Sequence, residues 1–193
     1  MKRVIKKKDS EILTQGLNYI VNGNNTNLRD VLFAEQKGFC VYTETFLGRT
    51  DKKEIDHFNP TLKGKTTDSY DNWFLIKAQW NLEKSSKWAK YQPVLHPTAQ
   101  DFEDRIIYFE GDYLLANSND IEAKNLITLL KLDDADFAKV RKNYIIRISK
   151  EINDYGSALD YFKELIDNEL FDFIRFIRAL ENEFKVDIYS LIP

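Results

Sequence analysis

The fold is decided by residues 53–90, whose sequence is KEIDHFNPTLKGKTTDSYDNWFLIKAQWNLEKSSKWAK. Short apolar runs alternate here with polar stretches that contain glycine, threonine and proline. The stretch predicts, in order, a strand over 53–58 that ends at Pro60, a loop over 61–69, a short apolar strand over 72–76 and a helix over 79–90. Strand, loop, strand and helix is therefore the predicted local order.

Of the two histidines in the chain, only His57 lies within a cluster of chemically useful residues. Asp56 precedes it, and Asn72 follows it by 15 positions (72 − 57). Asn81 follows it by 24 positions (81 − 57), near the start of the predicted helix. Lys84 comes one helical turn after Asn81, so these two side chains share a face. Within a strand, Asp56 and His57 point to opposite faces unless the backbone bends.

These residue types suit the hydrolysis of a phosphodiester bond. A divalent cation must offset the charge that builds on the phosphate and on the leaving oxygen, and Mg²⁺ or Mn²⁺ takes oxygen ligands. Asp56 offers a carboxylate and Asn81 an amide oxygen, so these two are the predicted metal ligands. A histidine with an ordinary pKa of about 6.5 can take a proton from water at neutral pH, so His57 is the predicted base.

Three lysines around this cluster are predicted to contact a nucleic acid. Lys84 is expected to meet a phosphate oxygen as a point charge, which gives it a catalytic as well as a binding role. Lys53 and Lys87 are expected to add further phosphate contacts. The predicted active site spans residues 55–87, and Lys53 lies just before it.

The cluster resembles the ββα-metal core of the HNH endonucleases, in the variant whose last histidine is an asparagine. The residues that carry the resemblance are Asp56-His57-x-x-Pro60, Asp71-Asn72 and Asn81-x-x-Lys84. The resemblance implies that His57 is the general base and that Asp56 and Asn81 hold one divalent ion. It also implies that Asn72 belongs to the catalytic set by bracing the loop between the strands.

The residues before this core extend the resemblance. Gln36-Lys37-Gly38-x-Cys40-x-Tyr42-x-Glu44 resembles the Gly-x-Cys-x-Tyr-Cys-Glu segment of a bacterial HNH subgroup that occurs beside ATPases in Septu-like and retron-associated anti-phage systems. The resemblance covers about residues 30–110. Thr43 replaces the second cysteine, and no cysteine pair lies near Asn81. No structural zinc is expected, and apolar packing must replace it through Phe39, Tyr42, Trp73 and Trp80.

The bulk composition points to a packed globule. The chain has 193 residues, of which 43% are hydrophobic, and no stretch approaches the roughly 18 apolar residues that a membrane span requires. The basic N-terminus lacks an apolar segment behind it, so it does not predict a signal peptide. Cys40 is the only cysteine, which excludes an intrachain disulfide and a multi-cysteine zinc site. We therefore expect a cytoplasmic protein with no membrane partner.

The net charge of −3 hides an asymmetry between the two halves. Residues 1–90 hold 16 basic against 11 acidic residues, and residues 91–193 hold 12 against 20. Two interpretations stay open: ordinary surface variation, or a polyanion that meets the basic half. Because acidic helices would repel a duplex, we expect the second half to dock a protein, by family analogy an ATPase of a defence operon.

The whole chain is expected to be an α+β protein, mostly helical, with a small ββα-metal HNH core surrounded by helices. Residues 1–95 are expected to hold N-terminal helices and this core, and residues 96–193 a hairpin and an acidic helical region packed on it. The remaining predicted elements are helices over 9–21, 28–37, 120–131, 134–154, 157–168 and 170–184, and a hairpin of strands 106–109 and 113–115.

Several residues keep two interpretations. Asp71 and Glu54 are either solvated charges or neighbours of the metal, and Glu44 either supports the site or acts in it directly. His96, which precedes a proline, is expected to be structural, and Cys40 to be buried and inert. The run Lys6-Lys7-Lys8 is either a DNA contact or a mobile solvated tail.

The expected function is magnesium-dependent cleavage of DNA. The core motif carries phosphate chemistry and no base-reading element, so specificity is expected to lie outside it. Two alternatives remain: an interaction protein built on a decayed nuclease core, which the missing zinc cysteines favour, and an RNase with the same core.

Overall fold

The structure, a computed structural model, describes residues 1–85 and 87–193, apart from the side chains at positions 83 and 85. Strand β1 (Lys53–His57) pairs with strand β2 (Trp73–Lys77) in an antiparallel register that sets Ile55 opposite Leu75. Helix α3 (Ala78–Ser85) follows β2 directly and packs against both strands. The predicted order of strand, loop, strand and helix is therefore confirmed.

Helix α3 is shorter than predicted. It ends at Ser85, and a separate 3₁₀ turn covers Trp88–Lys90, where the sequence predicts one continuous helix over 79–90. Residue 86 of that predicted helix lies outside the described residues. The amide of Lys87 bonds to the carbonyl of Lys84, three residues back, which is the tighter spacing of a 3₁₀ turn.

A second small sheet is also antiparallel. Strands β3 (Ile106–Phe109) and β4 (Asp112–Leu115) form the predicted hairpin. Its two connecting residues, Glu110 and Gly111, both have positive φ, of 45° and 91°. A two-residue connection with this backbone matches the right-handed twist of the paired strands. The protein is therefore α+β, with two separate two-stranded sheets and a larger helical part.

The helices beside α3 follow the predicted pattern in most places. They are α1 (Glu11–Thr14), α2 (Thr26–Glu35), α4 (Phe102–Arg105), α5 (Ile121–Leu130), α6 (Ala135–Tyr155), α7 (Ala158–Asp167), α8 (Ile177–Phe184) and α9 (Ile188–Leu191). The side chains of Asp134 and Ser157 cap α6 and α7 by accepting backbone N–H bonds. Helix α2 begins at Thr26, two residues before the predicted start at residue 28, so the helix includes Asn27, which the sequence predicts to lie outside it.

Two predicted helices differ from the structure. Only Glu11–Thr14 is helical within 9–21, because Ser10 starts a turn that Gly16, with φ of 64°, ends. The predicted helix 170–184 begins only at Ile177. Before it, Phe176 has φ of 56° and its amide bonds to the carbonyl of Glu44 at 2.9 Å. A contact with a distant segment thus overrides the local helical pattern there.

The buried side chains form two clusters. The first takes its members from residues 1–132 and encloses the β1–β2 sheet. The second takes Phe39 and residues from 144 to 192. Phe176, Ile177 and Leu180, which lie in the predicted helix 170–184, are buried in it, while Phe173 is exposed. The division of the chain at residue 95 stays a prediction.

The N-terminal segment lies against the first cluster. Lys6 donates from its ammonium to the carbonyl of Trp73, and its Nζ lies 4.2 Å from the ring centres of Tyr70 and Phe74. Burial lowers the pKa of Lys6 to about 7. Lys6 is therefore held in place rather than part of a mobile tail, whereas Lys7 and Lys8 are exposed.

In the part of the chain that the structure describes, no helix has the length and apolar character needed to cross a bilayer.

Of the residues expected to pack in place of a zinc, Phe39, Tyr42 and Trp73 are buried and Trp80 is partly buried.

One buried amide attaches α2 to the sheet. Gln36 accepts a hydrogen bond from the amide of Leu75 at 2.8 Å and donates to the carbonyl of Leu75 at 2.8 Å. It also donates to the carbonyl of Phe39 at 3.0 Å. The side chain thereby makes the two hydrogen bonds that the backbone of a neighbouring strand would make at the middle of β2.

We expect Gln36→Met to lower the free energy of unfolding by about 2 kcal/mol, because the buried amide of Leu75 loses its acceptor. Urea denaturation followed by tryptophan fluorescence measures the change. Gln15→Met is the matched control, since Gln15 is exposed and its replacement should shift stability by less than about 0.5 kcal/mol. Equal effects of the two substitutions would contradict this role for Gln36.

Candidate active site

His57 lies at the end of β1 and is almost enclosed. Its side chain is 4% exposed, and its Nε2 lies 3.1 Å from Oδ2 of Asp68. The two groups are close but are not aligned as a hydrogen bond, so Nε2 has no hydrogen-bond partner among the residues that the structure describes. A carboxylate so close to a ring nitrogen can orient an imidazole electrostatically.

Asp68 is held in place from the other side. Its Oδ1 accepts hydrogen bonds from Nδ2 of Asn72 at 2.8 Å and from Nε1 of Trp73 at 2.9 Å. These two donors direct the remaining oxygen, Oδ2, towards His57. Asp68 is not among the residues predicted from the sequence, although it is the one carboxylate in the loop 61–69 and precedes Asn72 by four positions. Those two facts were the available signal.

Asn72 joins the end of β1 to the start of β2. Its Oδ1 accepts from the amide of Asn59 at 2.7 Å, and its Nδ2 also donates to the carbonyl of Asn59 at 3.2 Å. Asn59 in turn accepts from the amide of Thr61 and fixes the first turn of the loop. Asn72 thus braces the loop between the strands and fixes the oxygen of Asp68 that does not face His57.

The surroundings of His57 favour a neutral imidazole. Burial lowers the pKa of His57 from its ordinary value, and the nearby charge of Asp68 opposes that change without reversing it. The ring of Tyr19 meets the ring of His57 edge-on, with 4.4 Å between their centres. Tyr19 therefore helps to hold His57 away from solvent.

Asp56 occupies the opposite side of β1, as strand alternation requires. Both of its carboxylate oxygens lie 2.6 Å from the ammonium of Lys84, and the hydroxyl of Tyr42 donates to Oδ2. The same ammonium donates to the carbonyls of His57 at 2.7 Å and Phe58 at 3.1 Å. The side chains of Asp56 and Lys84 are each 1% exposed. Burial lowers the pKa of Lys84, and the charge of Asp56 opposes that change.

Asp56 and Asn81, the predicted metal ligands, are both engaged with other side chains. Asp56 supplies oxygen donors of the kind that Mg²⁺ prefers, but the ammonium of Lys84 already lies against both of them. Asn81 donates instead to Oε2 of Glu54 at 3.1 Å. Among the described side chains, which leave out those at positions 83, 85 and 86, no group of three or more from His, Cys, Asp and Glu could hold a metal ion. The donor chemistry fits a divalent ion, but binding would require Lys84 to leave Asp56.

The three lysines predicted to contact nucleic acid lie in different surroundings. Lys84 is buried and directed at Asp56, so contact with a phosphate would require it to move. Lys53 is partly exposed, and its Nζ lies 4.4 Å from the ring centre of Phe33. Lys87 is partly exposed just beyond α3.

Glu44 lies away from His57 and joins distant parts of the chain. Its carboxylate lies 3.3 Å from the amine of Met1 and accepts from the hydroxyl of Tyr113 at 2.9 Å and the amide of Arg178 at 3.2 Å. These contacts connect the turn after Cys40 to the second hairpin and to α8. These contacts are those of a residue that supports the structure, which is the first of the two interpretations of Glu44.

The remaining candidates lie at the margins of the site. His96 packs edge-on against Phe58, and its Nδ1 lies 2.7 Å from Oγ1 of Thr98. Asp71 is exposed on the turn before β2. Glu54 pairs with Lys52 at 3.0 Å. The thiol of Cys40 is buried and lies 3.5 Å from the amide of Lys77.

The chain was compared with known proteins at three levels. No model of a protein family matches it, and neither the curated proteins nor the solved structures include a chain that matches.

The Asp56–Lys84 pair gives a stability prediction. Lys84→Met leaves a buried carboxylate without its partner and should lower the free energy of unfolding by about 3–5 kcal/mol. Adding Asp56→Asn to that variant should recover part of the loss, because no charge then stays buried. Denaturant unfolding of the two single variants and the double variant measures the coupling. Arg147→Met, which breaks the exposed pair with Glu151, is the control and should cost less than about 1 kcal/mol. Additive losses would contradict the direct pairing.

The contact of Tyr19 with His57 gives an accessibility prediction. In a His96→Gln background, His57 is the only histidine, so its reaction with diethylpyrocarbonate can be followed by absorbance. Tyr19→Ala should raise the rate of that reaction about tenfold, because the covering ring is removed. A tenfold change corresponds to a decrease of about 1.4 kcal/mol in the free energy of exposing His57 to the reagent. Tyr155→Ala, at an exposed tyrosine of α6, should leave the rate unchanged. An unchanged rate in Tyr19→Ala would show that other groups enclose His57.

Proposed function

We propose that this chain is a metal-dependent endonuclease of the HNH type that hydrolyses phosphodiester bonds, with DNA as its substrate. The observation that supports this most is the His57–Asp68 pair: a buried imidazole whose Nε2 lies 3.1 Å from a carboxylate that is itself fixed by two hydrogen bonds. An oriented, neutral histidine is the group that general-base hydrolysis requires at neutral pH.

The proposed reaction uses the two ring nitrogens differently. Asp68 beside Nε2 favours the tautomer that carries its proton there, which leaves the lone pair of Nδ1 to take a proton from water. The water oxygen forms a bond to phosphorus as that proton moves to His57, and the bond from phosphorus to the leaving oxygen breaks. Asp68 then stabilises the imidazolium, and Asn72 keeps Asp68 and the loop in place.

A divalent ion, Mg²⁺ or Mn²⁺, would supply charge stabilisation at the phosphate and at the leaving oxygen. Asp56 and Asn81 are the residues proposed to hold it. Asp56 becomes available when Lys84 withdraws its ammonium, and Lys84, so released, can meet a phosphate oxygen.

The order of elements also supports an HNH-type core. Asp56 and His57 lie on β1, Asn72 lies in the turn immediately before β2, and Asn81 and Lys84 lie on α3. Strands β1 and β2 are antiparallel, and Asn72 braces the loop between them. Participation in bacterial anti-phage defence with a partner ATPase belongs to the same proposal, and it rests on the resemblance of the segment from Gln36 to Glu44.

One observation favours a second function, that of a non-catalytic interaction protein. The ammonium of Lys84 pairs with the carboxylate of Asp56, and the side chain of His57 is almost fully buried. A chain that had lost its catalysis could keep this closed arrangement as a structural centre. Cleavage assays separate the two functions.

We expect the purified protein to nick supercoiled plasmid in the presence of Mg²⁺ or Mn²⁺ and not in the presence of a chelator. His57→Ala should reduce the rate by about 10²–10⁴-fold, because the base is removed. Asp68→Asn should reduce it less, since it removes only the charge that orients the base. Gel analysis of nicked and linear plasmid provides the measurement, and structured RNA in place of plasmid tests the RNase alternative.

His96→Gln is the matched control, as the other histidine of the chain, and should keep the rate of the unaltered protein. Because the pKa of His57 is lowered, the base stays neutral below the ordinary histidine range, and the rate should fall only at acidic pH. Metal-dependent cutting that survives His57→Ala would refute this base. The absence of cutting with any metal, with or without a partner protein, would support the interaction protein.

A further inference from the structure

An open cleft lies beside the His57–Asp68 pair, on the outer side of Tyr19. It has a volume of about 500 Å³. Its walls come from the loop before α2, the first turns of α2, β1, the loop after β1, and α3. The ring of Tyr19 faces this cleft and also meets His57 edge-on at 4.4 Å. The cleft is therefore separated from the candidate base by one side chain.

Three cationic side chains line the cleft: Arg29 of α2, Lys53 of β1 and Lys63 of the loop after β1. Glu54 is the one acidic residue among the lining residues, and its charge is already met by Lys52 at 3.0 Å and by the amide of Asn81 at 3.1 Å. The excess of positive charge in a concave surface attracts a polyanion.

Two of these cations rest on aromatic rings. Nζ of Lys63 lies 5.3 Å from the ring centre of Tyr19, and Nζ of Lys53 lies 4.4 Å from that of Phe33. Such contacts limit the freedom of the long side chains, so less entropy is lost when they bind a phosphate. Arg29 is 3.7 Å from Asp30, but both are exposed, and an exposed pair of this kind holds the guanidinium weakly.

The start of α2 adds a further positive contribution. Asn25 and Thr26 line the cleft, so the N-terminal end of a ten-residue helix is directed towards it. The side chain of Asn25 does not cap that helix; it exchanges two hydrogen bonds with the backbone of Ile20 and so anchors the loop that carries Tyr19. The positive end of the helix dipole reinforces the attraction for phosphate.

We propose that this cleft binds the phosphodiester backbone of a nucleic-acid strand and delivers it to His57 past Tyr19. The inference rests on the proposed function and adds to it a binding surface built by Arg29 and Lys63, which lie outside β1, β2 and α3. Contacts to phosphate position a strand without reading its sequence, so the cleft accepts any base sequence. Tyr19 is the wall that the strand must displace to reach the base.

Binding can be measured separately from hydrolysis. Fluorescence anisotropy with a short labelled oligonucleotide, single-stranded in one arm and duplex in the other, is recorded in the presence of a chelator so that metal-dependent cleavage is suppressed. The Arg29→Gln/Lys63→Gln double variant should raise the Kd about tenfold or more at moderate salt, since two phosphate contacts are lost. It should also reduce the salt dependence of log K by about 1–2 in slope.

Two controls make the result specific. Lys150→Gln with Lys163→Gln removes the same number of charges from exposed positions of α6 and α7 and should leave the Kd and the salt slope within error of the unaltered protein. His96→Gln should bind as tightly as the unaltered protein, because His96 does not line the cleft. Thermal unfolding of each variant confirms that the exposed substitutions leave the fold intact.

The outcomes separate this inference from the proposed function. Weak binding by the Arg29/Lys63 variant alone supports the cleft, even if no condition yields cleavage and the nuclease activity is refuted. Equal binding by the Arg29/Lys63 and Lys150/Lys163 variants overturns the cleft, even if plasmid is cut. Failure of the unaltered protein to bind either oligonucleotide also overturns it.

Discussion

The structure of the candidate site depends on one buried ammonium. Lys84 of α3 bonds to both carboxylate oxygens of Asp56 and to the carbonyls of His57 and Phe58, all at the end of β1. Removing an ammonium and a carboxylate from water costs several kcal/mol for each ion, and only close pairing with further hydrogen bonds offsets that cost. Helix α3 is therefore fixed against the strand that carries His57. The same pairing occupies the carboxylate that a divalent ion would need.

Strand alternation then separates the two halves of the chemistry. Asp56 faces Lys84 and Tyr42 on one side of β1, whereas His57 faces Asp68 and Tyr19 on the other. His57 can therefore lie beside one carboxylate while a different carboxylate pairs with Lys84. Asn72 connects the two strand ends, so the position of Asp68 follows from the turn geometry as well as from its own hydrogen bonds.

The sequence predicted the elements that depend on local patterns. Strands β1 and β2 and helix α3 follow from short apolar runs and the polar, glycine- and proline-containing stretches that separate them. The β3–β4 hairpin follows from Glu110-Gly111 between apolar residues. Contacts between distant segments could not be predicted in this way. The break before α8 arises from the bond between Phe176 and Glu44, and the burial of Lys84 arises from a carboxylate 28 positions earlier. Asp68 and Tyr19 lie in irregular segments, where periodicity carries no information about which side chains meet.

Both groups that the proposed reaction requires are covered by a neighbouring side chain: His57 by Tyr19, and Asp56 by Lys84. In the proposed reaction this arrangement would be an advantage. While both groups are covered, neither can activate water or bind a metal ion before the nucleic acid arrives. The side chain of Lys63 connects the cover of His57 to the cleft, because it lies over the ring of Tyr19 and lines the cationic surface. Lys63, held over Tyr19, would place a bound phosphate beside that ring, and the binding free energy of the substrate would then supply the cost of displacing Tyr19 from His57. Substrate binding and the displacement of Tyr19 would thus be coupled. A ligand that binds the open state more tightly shifts the protein towards that state, even if it is rare without the ligand.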